Sequence, residues 1–212
     1  VIADKGVWTA KKRYILNVWD SEGVRYKEPK LKIMGIEAVK SSTPAPCREK
    51  IKEALKIIMD GDEKMLNTFI QEFRKEFMKL SPEEIAFPRS CNGVQKFSGD
   101  SSLFRKGAPM HVKGAILYNH LISGRKMEGK YPLIQEGDKI RFLNMKQPNI
   151  YQSSAFSFIT SFPKELDIED RIDYDIQFTK SFVEPLKFIT EKMNWLIDNS
   201  YGTQGSLEDF FG

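Results

Sequence analysis

Apolar residues recur with a helical period in two consecutive stretches of the first half of the chain. Ile51, Leu55 and Ile58 are spaced four and three residues apart, and a second series follows at Leu66, Phe69, Ile70, Phe73 and Phe77. Spacings of three and four residues place side chains on one face of a helix. The pattern therefore predicts two amphipathic helices, which are separated at the sequence DGD.

Two stretches before residue 40 are rich in β-branched and aromatic residues, which favour strands. KKRYILNVWD and VRYKEPKLKIMG flank the turn sequence SEG, and they are expected to pair as an antiparallel hairpin. Pro29 in the second stretch indicates an edge strand or a bulge, because proline cannot donate a hydrogen bond to a neighbouring strand. SSTPAP then predicts a turn or hinge that leads into the first helix.

The pattern is weaker between residues 81 and 109. EEIAF is compatible with a short strand, and PRSCNGVQKFSGDSSLFRKGAP predicts a long, partly exposed loop because it is rich in Gly, Ser and Asn. After it, MHVKGAILYNHLISG predicts a short helix that ends at Gly124.

The second half of the chain adds strands and a final helix. DKIRFLNM and SAFSFIT predict two further strands. A last helix is expected from about Asp170 to Ile197, and Pro185 within it predicts a kink. Together the elements indicate an α+β fold, in which a basic β-hairpin precedes a mainly helical region with a small β element.

Composition is typical of a protein with a packed core. The chain has 212 residues, of which 41% are hydrophobic and 12% aromatic. No apolar run approaches the roughly 20 residues that span a bilayer, and no signal peptide is visible, so a cytoplasmic protein without a membrane partner is expected. Cys47 and Cys91 have neither metal-binding nor redox spacing and are expected to be free thiols.

Charge is distributed unevenly around a net value of +4. Residues 1–162 contain 28 Lys and Arg against 18 Asp and Glu, whereas residues 163–212 contain 5 against 11. A basic body suggests a phosphate-bearing partner. An ordinary solvated surface is the alternative explanation.

Basic residues are concentrated on the predicted hairpin and just after it. Basic side chains interleaved with aromatic ones on two strands form a suitable surface for a nucleic-acid backbone, although an exposed charged hairpin without a partner fits the same composition. Alternation along a strand would place Lys12 and Tyr14 on one face and Arg13 on the other. The basic residues of this region are Lys11, Lys12, Arg13, Arg25, Lys27, Lys30, Lys32 and Lys40.

No arrangement of residues in the sequence points to catalysis by this chain. His111 and His120 lie nine residues apart, which is not a metal-ligand spacing. FSGDSS contains a single carboxylate, Asp100, and one carboxylate cannot organise two metal ions. Neither a catalytic residue nor a metal site is therefore predicted.

The sequence WTAKKRYILNVWDSEGVRYKEPKLKIMGIEAVKSSTP resembles the end of the palm domain in family B DNA polymerases. The resemblance is greatest to the enzymes of T-even-type bacteriophages and their marine relatives. KKRY matches the lysine-x-tyrosine motif of that family at Lys12 and Tyr14.

The resemblance continues beyond the hairpin. KLKIMGIEAVKSSTP matches the crossing from palm to thumb, with Gly35 and Lys40 at the characteristic places. HVKGAILYN and the acidic last helix resemble the phage thumb more weakly. The resemblance is moderate at the C-terminus and low between about residues 81 and 170.

The family resemblance implies a set of DNA-binding residues. It implies that Lys12 and Tyr14 contact the primer strand near its 3′ end, and that Lys40 approaches the minor groove of the primer–template duplex. With their basic neighbours Lys11 and Arg13, these are the predicted DNA-binding residues.

The resemblance also implies a division of the chain. Residues 1–43 would form the edge of the palm, residues 44–200 the thumb, and residues 201–212 a flexible tail. The tail sequence QGSLEDFF fits the clamp-binding pattern Gln-x-x-aliphatic-x-x-aromatic-aromatic. The predicted clamp-binding residues are Gln204, Leu207, Phe210 and Phe211.

The function implied is that of the C-terminal part of a replicative DNA-directed DNA polymerase. The palm motifs with the metal-binding aspartates are missing from the sequence, so this chain alone is expected to be inactive, with Mg²⁺ at a catalytic site outside it. The expected partners are primer–template DNA, a sliding clamp and the remaining polymerase domains, in the cytoplasm of a host cell. Two alternatives are a stand-alone DNA-binding accessory protein with a clamp-binding tail, and a nuclease or repair enzyme, which would need a carboxylate cluster.

Overall fold

The protein is described by a computed structural model that covers residues 1–99 and 102–198. Contacts between residues divide the chain into two compact units, each with a small antiparallel sheet and helices, so the predicted α+β fold is confirmed. The predicted division into palm edge, thumb and tail is based on the family resemblance. The contacts do not test it, so it stays a prediction. The first unit consists of residues 1–40, 46–78 and 178 onward, and the second of residues 41–45 and 79–177.

The first unit begins with a three-stranded antiparallel sheet. Its strands are β1 (Ile2–Ala10), β2 (Arg13–Ser21) and β3 (Val24–Met34), in that spatial order. The predicted hairpin is β2 with β3, and Pro29 does lie in an edge strand. Strand β1 was not expected, because its charged residues and glycine conceal any regular alternation of polar and apolar positions.

Two helices follow a single 3₁₀ turn at Glu37–Val39. Helix α1 spans Ala45–Asp60 and helix α2 spans Glu63–Phe77, which confirms the two predicted helices and the break between them. The break has a physical cause at Asp62, whose side chain accepts a hydrogen bond of 2.8 Å from the backbone N–H of Met65 and caps the second helix.

The second unit contains regular structure where a strand and a long loop were expected. Helix α3 (Pro82–Ile85), strand β4 (Phe87–Ser90) and helix α4 (Val94–Phe97) precede helix α5 (Met110–Gly124). The strand expected at EEIAF is wrong in its first part. The Glu84 carboxylate accepts a hydrogen bond from the backbone N–H of Ser81, and this capping interaction favours a helical turn. The predicted helix that ends at Gly124 is confirmed.

The second sheet is completed by two strands that the sequence predicts. Strands β5 (Lys139–Asn144) and β6 (Ala155–Phe158) pair antiparallel, in the spatial order β4-β5-β6. Helix α5 packs closely against β6 at Gly114, where a Cβ atom would lie 2.5 Å from the Ser157 Oγ. Every side chain of β6 is buried, so this strand lies in the core of the second unit.

The last helical region is shorter and less regular than predicted. Helix α6 (Tyr174–Phe178) continues as a π-helical segment at Thr179–Val183 and then as helix α7 (Glu184–Thr190). The π segment ends two residues before Pro185, where the sequence predicts a kink. Proline and π-helical turns are both recognised causes of helix irregularity. A left-handed residue, Asn194 (φ 57°), terminates the region before the predicted end at Ile197.

Aromatic rings form the core of the first unit at the end of α2. The Phe73 ring lies 4.7 Å from the Phe182 ring, and the Phe77 ring lies 5.2 Å from the Phe178 ring, measured between centroids. All four side chains are almost fully buried. Phe178 and Phe182 therefore complete a core that α2 begins.

The cysteines are free thiols, as predicted. Both are buried, and burial raises the pKa of Cys47 to about 12 and that of Cys91 to about 11. Within the described ranges, no helix combines the length and apolar character needed to cross a membrane.

Candidate nucleic-acid interface

Lys11 and Lys12 form the tight turn between β1 and β2. Ala10 pairs with Arg13 across the turn, and both lysine side chains are exposed. Lys12 has a φ of 62° and precedes β2, so the expectation that it shares a strand face with Tyr14 is wrong. Alternation of side chains holds only for extended backbone, and a left-handed residue interrupts it.

Gly35 holds this turn against the segment that follows β3. Its φ is +67°, and a Cβ atom at this position would lie only 2.2 Å from the carbonyl oxygen of Lys12. Glycine is therefore required here by both backbone conformation and close contact.

Arg13 and Lys40 are brought together by an acidic residue, and we call Arg13, Glu37 and Lys40 the charge triad. The Arg13 guanidinium donates to both oxygens of the Glu37 carboxylate, at 2.9 and 3.2 Å, and the Lys40 ammonium donates to one of them at 2.8 Å. The guanidinium also lies 4.9 Å from the centre of the Phe188 ring on α7. The triad links the start of β2, the 3₁₀ turn and the last helix of the first unit.

The triad determines the charge state of its carboxylate. Burial raises the pKa of Glu37, but hydrogen bonds from Lys40 and then Arg13 oppose it, and the pKa is lowered overall. Glu37 is thus ionised at neutral pH, and the triad carries one net positive charge.

Tyr14 is the middle member of a row across the first sheet. It pairs with Trp8 on β1 and Met34 on β3, and directly opposed residues of antiparallel strands share a face. Trp8 is 62% exposed and Met34 40% exposed. Lys32 and Lys30 follow on the same face of β3 because they alternate with Met34. This face therefore presents aromatic and basic side chains side by side.

A second basic surface lies in the second unit. A cavity of about 410 Å³ is lined by two basic side chains, Arg89 and Lys139, and by three hydroxyl residues, and no carboxylate side chain is among its lining residues. The guanidinium of Arg89 is held in place by hydrogen bonds to the carbonyl oxygens of Ser42 and Pro88, at 3.2 and 3.0 Å. Such donors suit the oxygens of a phosphate. The hydroxyl residues are Ser41, Ser42 and Ser90.

No protein-family model matches the chain. The chain is 33% identical over 211 residues to the DNA-directed DNA polymerase of Enterobacteria phage T4, and 36% identical over 211 residues to that of Escherichia phage RB69. The chain is similar in sequence to phage DNA polymerases.

The extent of this similarity is unequal for the two partners of each alignment. The alignments cover 98% and 97% of the chain but only 22% of each phage enzyme. This is consistent with a C-terminal portion of such an enzyme. The predicted resemblance to polymerases of T-even-type phages is confirmed. The activity, substrates and partners of the complete phage enzymes are therefore only proposals for this chain.

Some residues singled out in the sequence lie outside the part of the chain that the structure describes. These are Asp100 of the FSGDSS sequence and the clamp-binding set Gln204, Leu207, Phe210 and Phe211. Among residues 1–99 and 102–198, no group of three or more His, Cys, Asp or Glu side chains is placed to hold a metal ion.

Several residues of the candidate nucleic-acid interface were not predicted from the sequence. Trp8 could have been noticed as a large aromatic residue beside the basic turn, and Glu37 as an acid in a mainly basic stretch. Nothing in the sequence signals that Arg89 and Lys139 line one cavity, because they lie on separate strands whose pairing had not been predicted.

Proposed function

We propose that the chain is the palm-edge and thumb part of a phage-type replicative DNA polymerase, and that it holds primer–template DNA. The observation that carries this proposal is the exposed basic and aromatic surface formed by the Lys11–Lys12 turn and the row through Tyr14. The sequence similarity of the chain to two phage DNA polymerases supports the same function. Contacts to phosphate carry no base code, so binding is independent of sequence.

Individual residues take distinct roles in this proposal. Lys12 and Tyr14 contact the primer strand near its 3′ end, and Lys40 approaches the minor groove. Arg89 and Lys139 bind a phosphate of the DNA backbone, because their cavity offers donors and no carboxylate side chain. The aromatic ring of Tyr14 adds apolar contact to the charged contacts of its neighbours.

Nucleotidyl transfer is proposed to occur on residues outside this chain. Polymerases of this class use Mg²⁺ to stabilise the attacking and leaving oxygens. The described residues do not fit such a metal site, because no three or more of their His, Cys, Asp and Glu side chains are grouped to hold a metal ion. We assign no catalytic residue to the chain, whose part in the reaction is to bind and orient DNA.

The terminal sequence QGSLEDFF is proposed to bind a sliding clamp. The support is its sequence pattern, in which Leu207, Phe210 and Phe211 supply apolar anchors and Gln204 a polar one. Such a tether would raise the effective concentration of the clamp for an enzyme that already holds DNA. The remaining polymerase domains are the third proposed partner, and the cytoplasm of the host cell the proposed location.

Fluorescence anisotropy with a labelled primer–template duplex tests DNA binding by the 212-residue chain. Affinity should fall steeply with salt, and Lys12→Ala should reduce the slope of log affinity against log salt by about 0.9, the value for one phosphate contact. Lys64→Ala removes an equal charge from an exposed position of α2 and should leave the slope unchanged. Absence of binding, or binding that salt does not weaken, would contradict the proposal.

A further inference from the structure

We infer that Glu37 is a positioning residue for DNA binding, which withdraws Arg13 from contact with phosphate and fixes Lys40 as the one available cation of the charge triad. This inference rests on the proposed function. It revises the predicted role of Arg13, which would act on DNA through Glu37 and Lys40 and not directly.

Arg13 is occupied on two sides. Its two terminal nitrogens both donate to Glu37, and this two-point geometry is also the one that a guanidinium uses to bind phosphate. The Phe188 ring lies beneath the guanidinium, and the Arg13 side chain is only 24% exposed. A phosphate would have to displace the carboxylate to bind Arg13 in the same way.

Lys40 is held but not used up. Its ammonium makes one hydrogen bond of 2.8 Å to Glu37, and an ammonium has three donors. The Lys40 side chain is 40% exposed, against 22% for that of Glu37. Lys40 can therefore donate to DNA while the carboxylate keeps it in one place, which reduces the side-chain entropy lost on binding.

The carboxylate also makes it possible for the two cations to lie close together. Arg13 and Lys40 both bind the same oxygen of Glu37, at 3.2 and 2.8 Å. Salt screens their mutual repulsion incompletely, because both cationic side chains are partly buried. Without its negative charge, both side chains would move apart and become available to phosphates.

Salt titration of the full chain on a labelled primer–template duplex tests the inference. Glu37→Gln keeps the size of the side chain and releases both cations, so the slope of log affinity against log salt should steepen by about 0.9, one additional phosphate contact. Glu28→Gln is the matched control, since it removes an exposed negative charge from β3 and should not alter the slope.

The double variant Arg13→Gln with Glu37→Gln separates positioning from direct contact. It keeps Lys40 as the one cation, so its slope should equal that of the unchanged chain while its affinity falls because Lys40 is no longer held. A slope lower by about 0.9 would show that Arg13 itself contacts phosphate, and would overturn the inference.

Two further outcomes complete the test. An unchanged slope for Glu37→Gln, in a chain that does bind DNA, refutes the inference alone, whereas absence of binding by the unchanged chain refutes the proposed function. If Glu37→Gln unfolds at the assay temperature, Glu37→Asp replaces it. The shorter carboxylate is expected to lose its two-point contact with Arg13, so the slope should again be steeper than in the unchanged chain, and an equal slope would refute the inference.

Discussion

Gly35 is the residue at which backbone conformation and crowding act together, and Gly35→Ala should lower the free energy of unfolding. A left-handed conformation costs a non-glycine residue about 1–2 kcal/mol. The added Cβ would also meet the Lys12 carbonyl oxygen at 2.2 Å, so the turn would have to shift. Denaturant unfolding measures the loss, and the displaced turn should also weaken binding to duplex DNA.

Gly23→Ala is the control for this substitution. Gly23 has a φ of +83°, but its Cβ would meet no atom within 4 Å, so only the conformational cost applies. Equal losses for the two variants would show that the contact between Gly35 and Lys12 does not matter to stability.

Other features at the residue scale lie beyond what a sequence pattern can predict. Lys12 was expected in a strand because the stretch KKRYILNVWD is rich in β-branched and aromatic residues, but Lys12 lies in a left-handed turn and the strand begins only at Arg13. The pairing of Arg13 with Glu37 spans 24 positions and depends on how the 3₁₀ turn returns to the sheet. Patterns describe one element at a time, whereas these contacts join several.

Helix α5 depends on its close approach to strand β6, and Gly114→Ala should destabilise the second unit. In an open helix this substitution would stabilise by about 0.5–1 kcal/mol. Here the added Cβ would lie 2.5 Å from Ser157 Oγ and 2.8 Å from the Phe156 carbonyl carbon, so the helix and strand would have to separate. Thermal unfolding should show a lower melting temperature.

Gly124→Ala provides a matched comparison in the same helix. Its Cβ would meet no atom within 4 Å, so its melting temperature should equal or exceed that of the unchanged chain. A decrease of the same size in both variants would mean that helix α5 disfavours alanine for some reason other than its contact with β6.

Long helices could be predicted from the sequence, whereas short helices could not. Helices α1 and α2 have apolar stripes that repeat over several turns, and their period was visible in the sequence. Helices α3 and α4 contain four residues each, too few for any period to appear. The last helix was predicted to end too late in the sequence. Its apolar stripe suggested a regular helix and gave no sign of the left-handed Asn194 that ends it.

The whole molecule raises the question of what the terminal aromatic residues do. Phe210→Ala with Phe211→Ala should abolish binding to a sliding clamp, while the melting temperature and affinity for DNA stay unchanged. The physical reason is that each large apolar side chain buried in a partner contributes about 1.5–3 kcal/mol. A pull-down with the clamp and a thermal melt of the same protein measure both properties.

A substitution between the anchors serves as the control. Ser206→Ala alters the tail without removing an apolar anchor, and clamp binding should persist. The competing account is that the phenylalanines complete the core of their own chain. It is favoured if the double variant melts several degrees lower and still binds the clamp.

The route of the chain through its two units has a consequence for biosynthesis. Phe73 and Phe77 leave the ribosome first, but their ring partners Phe178 and Phe182 follow only after residues 79–177 have been made. At about 5–20 residues per second, the two early rings wait on the order of 5–20 s for these partners. The second unit is therefore fully synthesised before the first is complete, although the first begins earlier in the chain. A nascent chain thus exposes an unfinished aromatic core during elongation, and this is the interval in which it is most prone to aggregate.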